Sequence, residues 1–199
     1  GSEMCIRDST VTADGKKVKY VHSIHELNDT TLWVSTVGEG IVKIILNKNG
    51  ITPTVKSATR IILDGGRLAS NYFFTSFQEN DSILWFGNRG YGAHRLNLET
   101  GKFTPYKFDN IVNSQMTNDI FAIYKNENGY WFATSSGLLH FNQEDSQHHN
   151  KVELLSKNTA HGILEDQQNN IWISTNQGLV RFNPKTHTSQ TYDRKNGLE

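Results

Sequence analysis

Cysteine is nearly absent. Cys5 is the only one in 199 residues, so no internal disulfide can form and thiol usage does not report the redox compartment. Net charge is absent too. Twenty Lys and Arg balance twenty Asp and Glu, which removes the basic excess that nucleic-acid binding draws on. Long apolar runs are lacking. The longest, GIVKIIL at 40–46, is strand-sized and far below the roughly 20 residues of a membrane-spanning helix. No stretch keeps a 3.6-residue apolar period, so helices are not expected. The opening GSEMCIRDS (1–9) has no basic stretch followed by an apolar one and does not read as a secretory signal. It matches nothing later in the chain and is expected to be a non-native leader, leaving 10–199 as the folded part.

What is present is a repeat. The four tryptophans, Trp33, Trp85, Trp131 and Trp172, open one recurring phrase: LWVSTVGEGIVKI, LWFGNRGYGAHRL, YWFATSSGLLHF and IWISTNQGLVRF. A polar turn precedes each Trp. Before each turn runs a strand pattern, as in YFFTSF (72–77), IFAIY (120–124) and HGIL (161–164). After the hairpin comes a weaker strand: KFTPYKF (102–108), KVELLS (151–156) and SQTYD (189–193). Each unit reads as four antiparallel strands joined by turns rich in Gly, Asn and Asp. Repeats of this length suit propeller blades. The expected fold is all-β: a β-propeller segment of about four four-stranded antiparallel blades. A β-solenoid is the structural alternative. One large aromatic per blade would fill the space between neighbouring sheets, which assigns Trp33, Trp85, Trp131 and Trp172 to packing. Gly40, Gly92, Gly137 and Gly178 are assigned to turn geometry.

EDQQNNIWISTNQGLVRFNP (165–184) resembles the two-component regulator propeller repeat through Glu165, Asp166, Trp172, Thr175, Gly178, Leu179, Arg181 and Phe182. Asn170 stands where that family usually has a turn Gly. The third unit matches through Gly129, Trp131, Thr134, Gly137, Leu138 and Phe141, with His140 in place of Arg. The first two units depart, carrying an extra residue and a Gly-x-Gly (Gly38, Gly40; Gly90, Gly92). Asn196-Gly197-Leu198 is similar to the start of a further unit, and residues 10–21 to the end of a preceding one. The resemblance implies a fragment of a larger propeller. It also implies the periplasmic sensor region of a hybrid two-component system histidine kinase and response regulator, with a homodimeric parent protein and a small molecule or oligosaccharide as ligand. No nucleic-acid or membrane contact is expected of this segment itself.

The sequence offers little catalytic chemistry. His148 and His149 lie in a polar loop. His22 and His25, three apart in a strand, face opposite sides. No metal-ligand spacing appears, so neither a metal nor another cofactor is expected. TSSG (134–137) lacks the spacing of a serine elbow, and GNRGYG (87–92) leads into no helix that could hold phosphate. The basic residue three positions after each blade glycine (Lys43, Arg95, His140, Arg181) reads as a strand-surface position covering apolar neighbours. Differences between units are more informative. The second-to-third-strand turns and the connectors LDGGRLASN (63–71), NIVNSQMTN (110–118) and KNTAH (157–161) share one end of the blades. They supply the candidate ligand contacts Asn71, Tyr72, Arg89, Tyr91, Asn118, His161 and Gln177. The expected role is a non-catalytic sensor segment. Two alternatives are a streptogramin-lyase-like propeller enzyme, with His161 and Glu165 or Asp166 as its centre, and a protein-interaction propeller.

Overall fold

A computed structural model describes residues 15, 17–48, 52–63, 70–108, 118–141, 149–151 and 158–197. Among these, four separate antiparallel sheets of four strands form in chain order. The first blade contains β1 (Val21–Asn28), β2 (Thr31–Thr36), β3 (Ile41–Asn47) and β4 (Thr54–Ile61). The second contains β5 (Phe73–Asn80), β6 (Ile83–Asn88), β7 (Ala93–Asn97) and β8 (Phe103–Tyr106). The third contains β9 (Ile120–Asn126), β10 (Gly129–Thr134), β11 (Gly137–Phe141) and β12 (His149–Lys151). The fourth contains β13 (Ala160–Glu165), β14 (Ile171–Thr175), β15 (Gly178–Asn183) and β16 (Thr188–Tyr192). The all-β fold expected from the repeat is therefore observed, with each Trp in the second strand of its sheet. The fourth strand of the third blade pairs through His149–Lys151, of which only Lys151 falls in the weak strand expected at 151–156. Residues 152–157 lie outside the described residues. So do the expected leader 1–9, most of the connectors at 63–71 and 110–118, the His148 and His149 side chains, and Leu198.

The chain divides into two compact units, 1–73 and 74–199. The first has its own apolar cluster of Val34, Val42, Ile44 and Ala58. In the second unit, two clusters lie between successive blades. One joins Trp85 and Phe108 of the second blade to Ile120, Tyr130, Phe132 and Phe141 of the third. The next joins Trp131 and Leu138 of the third to Ala160, Ile171, Ile173, Val180 and Phe182 of the fourth. Period-2 alternation gives each blade two apolar faces, and stacking is what removes both from water. The Trp85 ring centroid lies 4.9 Å from that of Tyr130 across this gap, and Trp131 meets Phe182 edge-on at 6.0 Å.

The Thr-x-x-Gly element of the repeat has a local cause. In the fourth blade the Thr175 hydroxyl donates to the Gly178 carbonyl at 2.9 Å and accepts from the Gln177 amide at 3.1 Å. Thr134 repeats both bonds with Gly137 and Ser136, and Thr36 with Gly40 and Glu39. The hydroxyl thus closes the hairpin turn from inside, as in a Ser/Thr turn. In the second blade the buried Asn88 takes this position.

Three of the four tryptophans, Trp85, Trp131 and Trp172, also have a polar anchor before the turn that leads into their strand. The Trp85 Nε1 donates to Glu79 at 2.7 Å, Trp131 to Asn126 at 3.1 Å and Trp172 to Asp166 at 2.8 Å. Directly opposite each Trp in the next strand stands the recurring basic residue: Lys43, Arg95, His140 or Arg181. Lys43 lies over the Trp33 ring at 5.5 Å and His140 stacks on Trp131 at 4.2 Å. The Nε atoms of Arg95 and Arg181 lie 3.9 and 3.8 Å from Glu79 and Asp166. The basic column is therefore part of the blade, lying over its tryptophan or beside the acid that anchors it.

These acids contribute to the response to low pH. Burial alone would push Glu79 up, yet hydrogen bonds from Lys125, Trp85 and Tyr130 outweigh it and hold the carboxyl below its ordinary value. Burial likewise opposes ionisation of Asp166, but donors from Trp172, Asn170 and Gln168 bring it down to about 2. Both folded values lie below the unfolded ones, so their stabilisation is complete above the unfolded values of 4.5 and 3.8. It is lost as pH falls through the folded values. Melting temperature is expected to drop steadily between pH 4.5 and about 2, and Glu79→Gln together with Asp166→Asn should flatten that slope. A melting series against pH checks this.

Candidate functional site

The strand order puts the second-to-third-strand turns and the blade connectors at the same end, as the sequence implies. Hydrogen bonds tie the two together. In the first unit the Asn71 carbonyl accepts from the Gly38 and Gly40 amides at 2.9 and 3.0 Å. The Tyr72 ring covers Gly38, 3.6 Å from where a Cβ would sit, and stays 38% exposed. In the second unit the Asn118 carbonyl accepts from the Gly92 amide at 2.8 Å, and its side-chain oxygen accepts from the Phe108 amide at 2.8 Å. Asn118 is only 2% exposed. This carboxamide, expected from sequence to meet a ligand, is buried and bonds Phe108 beside the turn. Burial supplies the reason: the Phe108 amide is out of reach of water and needs a protein acceptor, which this oxygen provides.

The other expected contacts lie at the surface. Arg89 is exposed at the tip of its turn, and Tyr91 lies beneath Lys107, whose Nζ is 4.8 Å from the ring centroid. Gln177 is exposed beside Asn176. The His161 Nε2 lies 2.6 Å from the Asn176 side-chain oxygen. His161 is not brought to Glu165 or Asp166. It sits at the turn end of β13, and four residues of strand, roughly 13 Å, separate it from Glu165. Glu165 accepts from the Tyr124 hydroxyl at 2.6 Å and from Asn126 at 3.2 Å, joining the third blade to the fourth. Burial and that carboxylate push the Tyr124 phenol up to about 12. The lyase-type pairing of His161 with either acid has no geometry behind it. Among the described residues no group of three or more His, Cys, Asp or Glu is placed to hold a metal.

Sequence reasoning missed two residues at this end. Phe74 and Phe121 are the second residues of β5 and β9, and His161 is the second residue of β13. Their rings form a row: Phe74 to Phe121 at 5.0 Å, Phe121 to His161 at 5.5 Å. The first strands of neighbouring blades converge along this inner edge. The register explains why these side chains turn there. The pairing jumps from Ile120 to Ala122 and from Ala160 to Gly162, leaving Phe121 and His161 as the extra residues of β-bulges. His22 is the corresponding bulge residue of the first blade. A signal existed in the sequence: an aromatic or imidazole ring stands 10 or 11 residues before every repeat Trp, at His22, Phe74, Phe121 and His161.

With this geometry in view, similarity to known proteins can be stated. Residues 154–177 match the family model described as two component regulator propeller. This stretch is similar to a two component regulator propeller repeat. The match covers the first strand, the Trp turn and the Thr-x-x-Gly hairpin entry of the fourth blade. No curated protein sequence matches the chain. Among solved structures, an extracellular domain described as that of a hybrid two component system of B. thetaiotaomicron superposes with a TM-score of 0.67 at 17% identity. The alignment covers 86% of this chain and 25% of that one. A second such domain from the same organism gives 0.53 at 15% identity, covering 96% and 30%. PorZ, a surface component of the type-IX secretion system of Porphyromonas gingivalis, gives 0.61 at 16% identity, covering 98% and 30%. At these identities the likeness is one of fold. The chain spans about a quarter to a third of the length of these relatives.

Proposed function

We propose that this propeller segment is the ligand-sensing part of a bacterial hybrid two-component signalling protein and works outside the cytoplasm. Its ligand would be an oligosaccharide or a similar small molecule. The observation that carries the reading is the regulator-propeller repeat at 154–177 on a fold shared with extracellular domains of such systems. The site geometry supports a binding role over a catalytic one. The turn end presents exposed Arg89, His161, Asn176 and Gln177 and half-buried Tyr91, while the acids of the repeat lie at the other end, hydrogen-bonded to tryptophan or to the neighbouring blade. Binding at this end would act by favouring one packing of the blades over another, which is how a ligand with unequal affinity for two states transmits a signal.

A melting-shift screen of the folded chain against neutral and charged oligosaccharides, amino acids and nucleotides tests the reading. A ligand present at 100 times its Kd should stabilise the native state by about 2.7 kcal/mol. The parent gene should also encode a membrane helix and a histidine kinase. A parent gene lacking both, with no small molecule shifting the melt, would overturn the proposal.

A further inference from the structure

We propose that Asn128 is a site of spontaneous covalent modification: the Gly129 backbone nitrogen, activated by His140, attacks the Asn128 side chain and converts it to aspartate and isoaspartate.

The two residues lie in the turn between β9 and β10. Asn128 is exposed, and its carboxamide is hydrogen-bonded to no described residue. Other turn asparagines differ. The side-chain oxygens of Asn28, Asn80, Asn97, Asn126 and Asn183 each accept from the backbone amide two residues on, which holds them in place. None of those five is followed by glycine, whereas Asn128 is. Gly129 has no side chain to shield its nitrogen from a close approach.

His140, half-buried on β11, supplies the activation. Its Nε2 lies 2.7 Å from the Asn128 carbonyl oxygen. A carbonyl oxygen only accepts, so Nε2 carries the hydrogen and donates it. That bond draws electron density from the peptide group to which the Gly129 nitrogen belongs, and so acidifies its N–H. Stacking on Trp131 at 4.2 Å keeps the imidazole there. Gly129 pairs with Asn126 at the end of the β9–β10 ladder, where pairs open most readily, and opening releases the N–H to solvent.

The reaction needs only water. The Gly129 nitrogen gives up its proton to solvent and bonds to Asn128 Cγ. The side-chain nitrogen takes up a proton and leaves as ammonia, closing a cyclic imide. Water then opens the imide at either carbonyl, giving aspartate or isoaspartate. Isoaspartate lengthens the backbone of a tight turn. That turn is tied to the next blade: the Asn126 side chain accepts from the Asn128 amide at 3.0 Å and from Trp131 at 3.1 Å, and donates to Glu165 of the fourth blade at 3.2 Å. Modification at Asn128 therefore reaches the contact between the third and fourth blades.

Peptide mapping and isoaspartyl methyltransferase labelling of the folded chain, aged at neutral pH and physiological temperature, test this. Label should accumulate at residue 128, and the melting temperature of the labelled fraction should fall. Asn128→Gln should remove both effects. His140→Phe keeps a ring over Trp131 but has no donor. It should slow the reaction at residue 128 about threefold or more, the rate equivalent of one ordinary hydrogen bond. The second Asn-Gly pair among the described residues, Asn196-Gly197, is the reference within each sample and should react alike in wild type and variant. In urea, where the His140 contact is lost, the two chains should also react alike at residue 128. A folded chain that gains no label at residue 128 while the urea-unfolded chain does would overturn the proposal. So would an unchanged or faster reaction there in His140→Phe.

Discussion

Replacing Trp85 by alanine is expected to destabilise the protein by about 3–5 kcal/mol, the range for deleting a fully buried large aromatic side chain. Trp85 has no exposed surface and packs against Tyr106 of its own blade and Tyr130 of the next, both at 4.9 Å. Its removal opens a cavity between two sheets whose backbones are held by separate ladders, so neither can readily collapse to fill it. It also takes one donor from Glu79, which keeps Lys125, 2.7 Å away, Tyr130 and Arg95. Trp172 offers the contrast. It occupies the same repeat position but is only half-buried, and its ring contact is Tyr192 of its own blade at 5.4 Å. Trp172→Ala should cost about 1–2 kcal/mol, in line with the smaller area it removes from water. Denaturant melts of the two variants measure the difference. Equal losses would show that the tryptophans act within blades and not between them.

Gly92→Ala is expected to cost about 3 kcal/mol or more, through backbone strain and a steric clash acting together. Its φ is +76°, a conformation that side chains disfavour. A Cβ there would lie 2.1 Å from the Tyr106 carbonyl oxygen and 3.1 Å from the Asn118 side-chain oxygen. The first contact is with backbone and cannot rotate away. Asn118 is fixed by its bond to the Phe108 amide, so both residues would have to move with the turn. Gly40 and Gly178 face the same limit, with Cβ positions 2.4 and 2.2 Å from the Ile61 and Tyr192 carbonyls. Gly90 is the internal control. It also has positive φ (77°), yet a Cβ there meets nothing within 4 Å, so Gly90→Ala should cost only about 1 kcal/mol. Thermal melts of the two alanine variants check the pair.

The two glycines of GYG and NRG look alike in sequence, and this marks where legibility stops. Repeat length, strand count and the Thr-x-x-Gly turn could all be read, because each is fixed by interactions within about fifty residues. Which glycine bears the load could not, because the deciding carbonyl belongs to the blade's fourth strand. Asn118 lies at the turn end, where its sequence position puts it, but its side chain is buried and accepts from the Phe108 amide. Its polarity was visible, but its burial against Phe108 was not. Phe74 and Phe121 were passed over as ordinary strand residues, since a bulge is a property of pairing register and leaves no mark on composition.

The sequence by itself determined the unit of construction. Period-2 apolar strands, polar turns and one Trp per repeat permit little other than four-stranded sheets that must stack to bury both faces. The tertiary structure alone decided how the side chains are used. Stacking put Trp85 between blades and joined Glu79 to Lys125 and Glu165 to Tyr124, residues about forty positions apart. It also aligned Phe74, Phe121 and His161 along one edge. These outcomes depend on the distance between sheets, which packing sets.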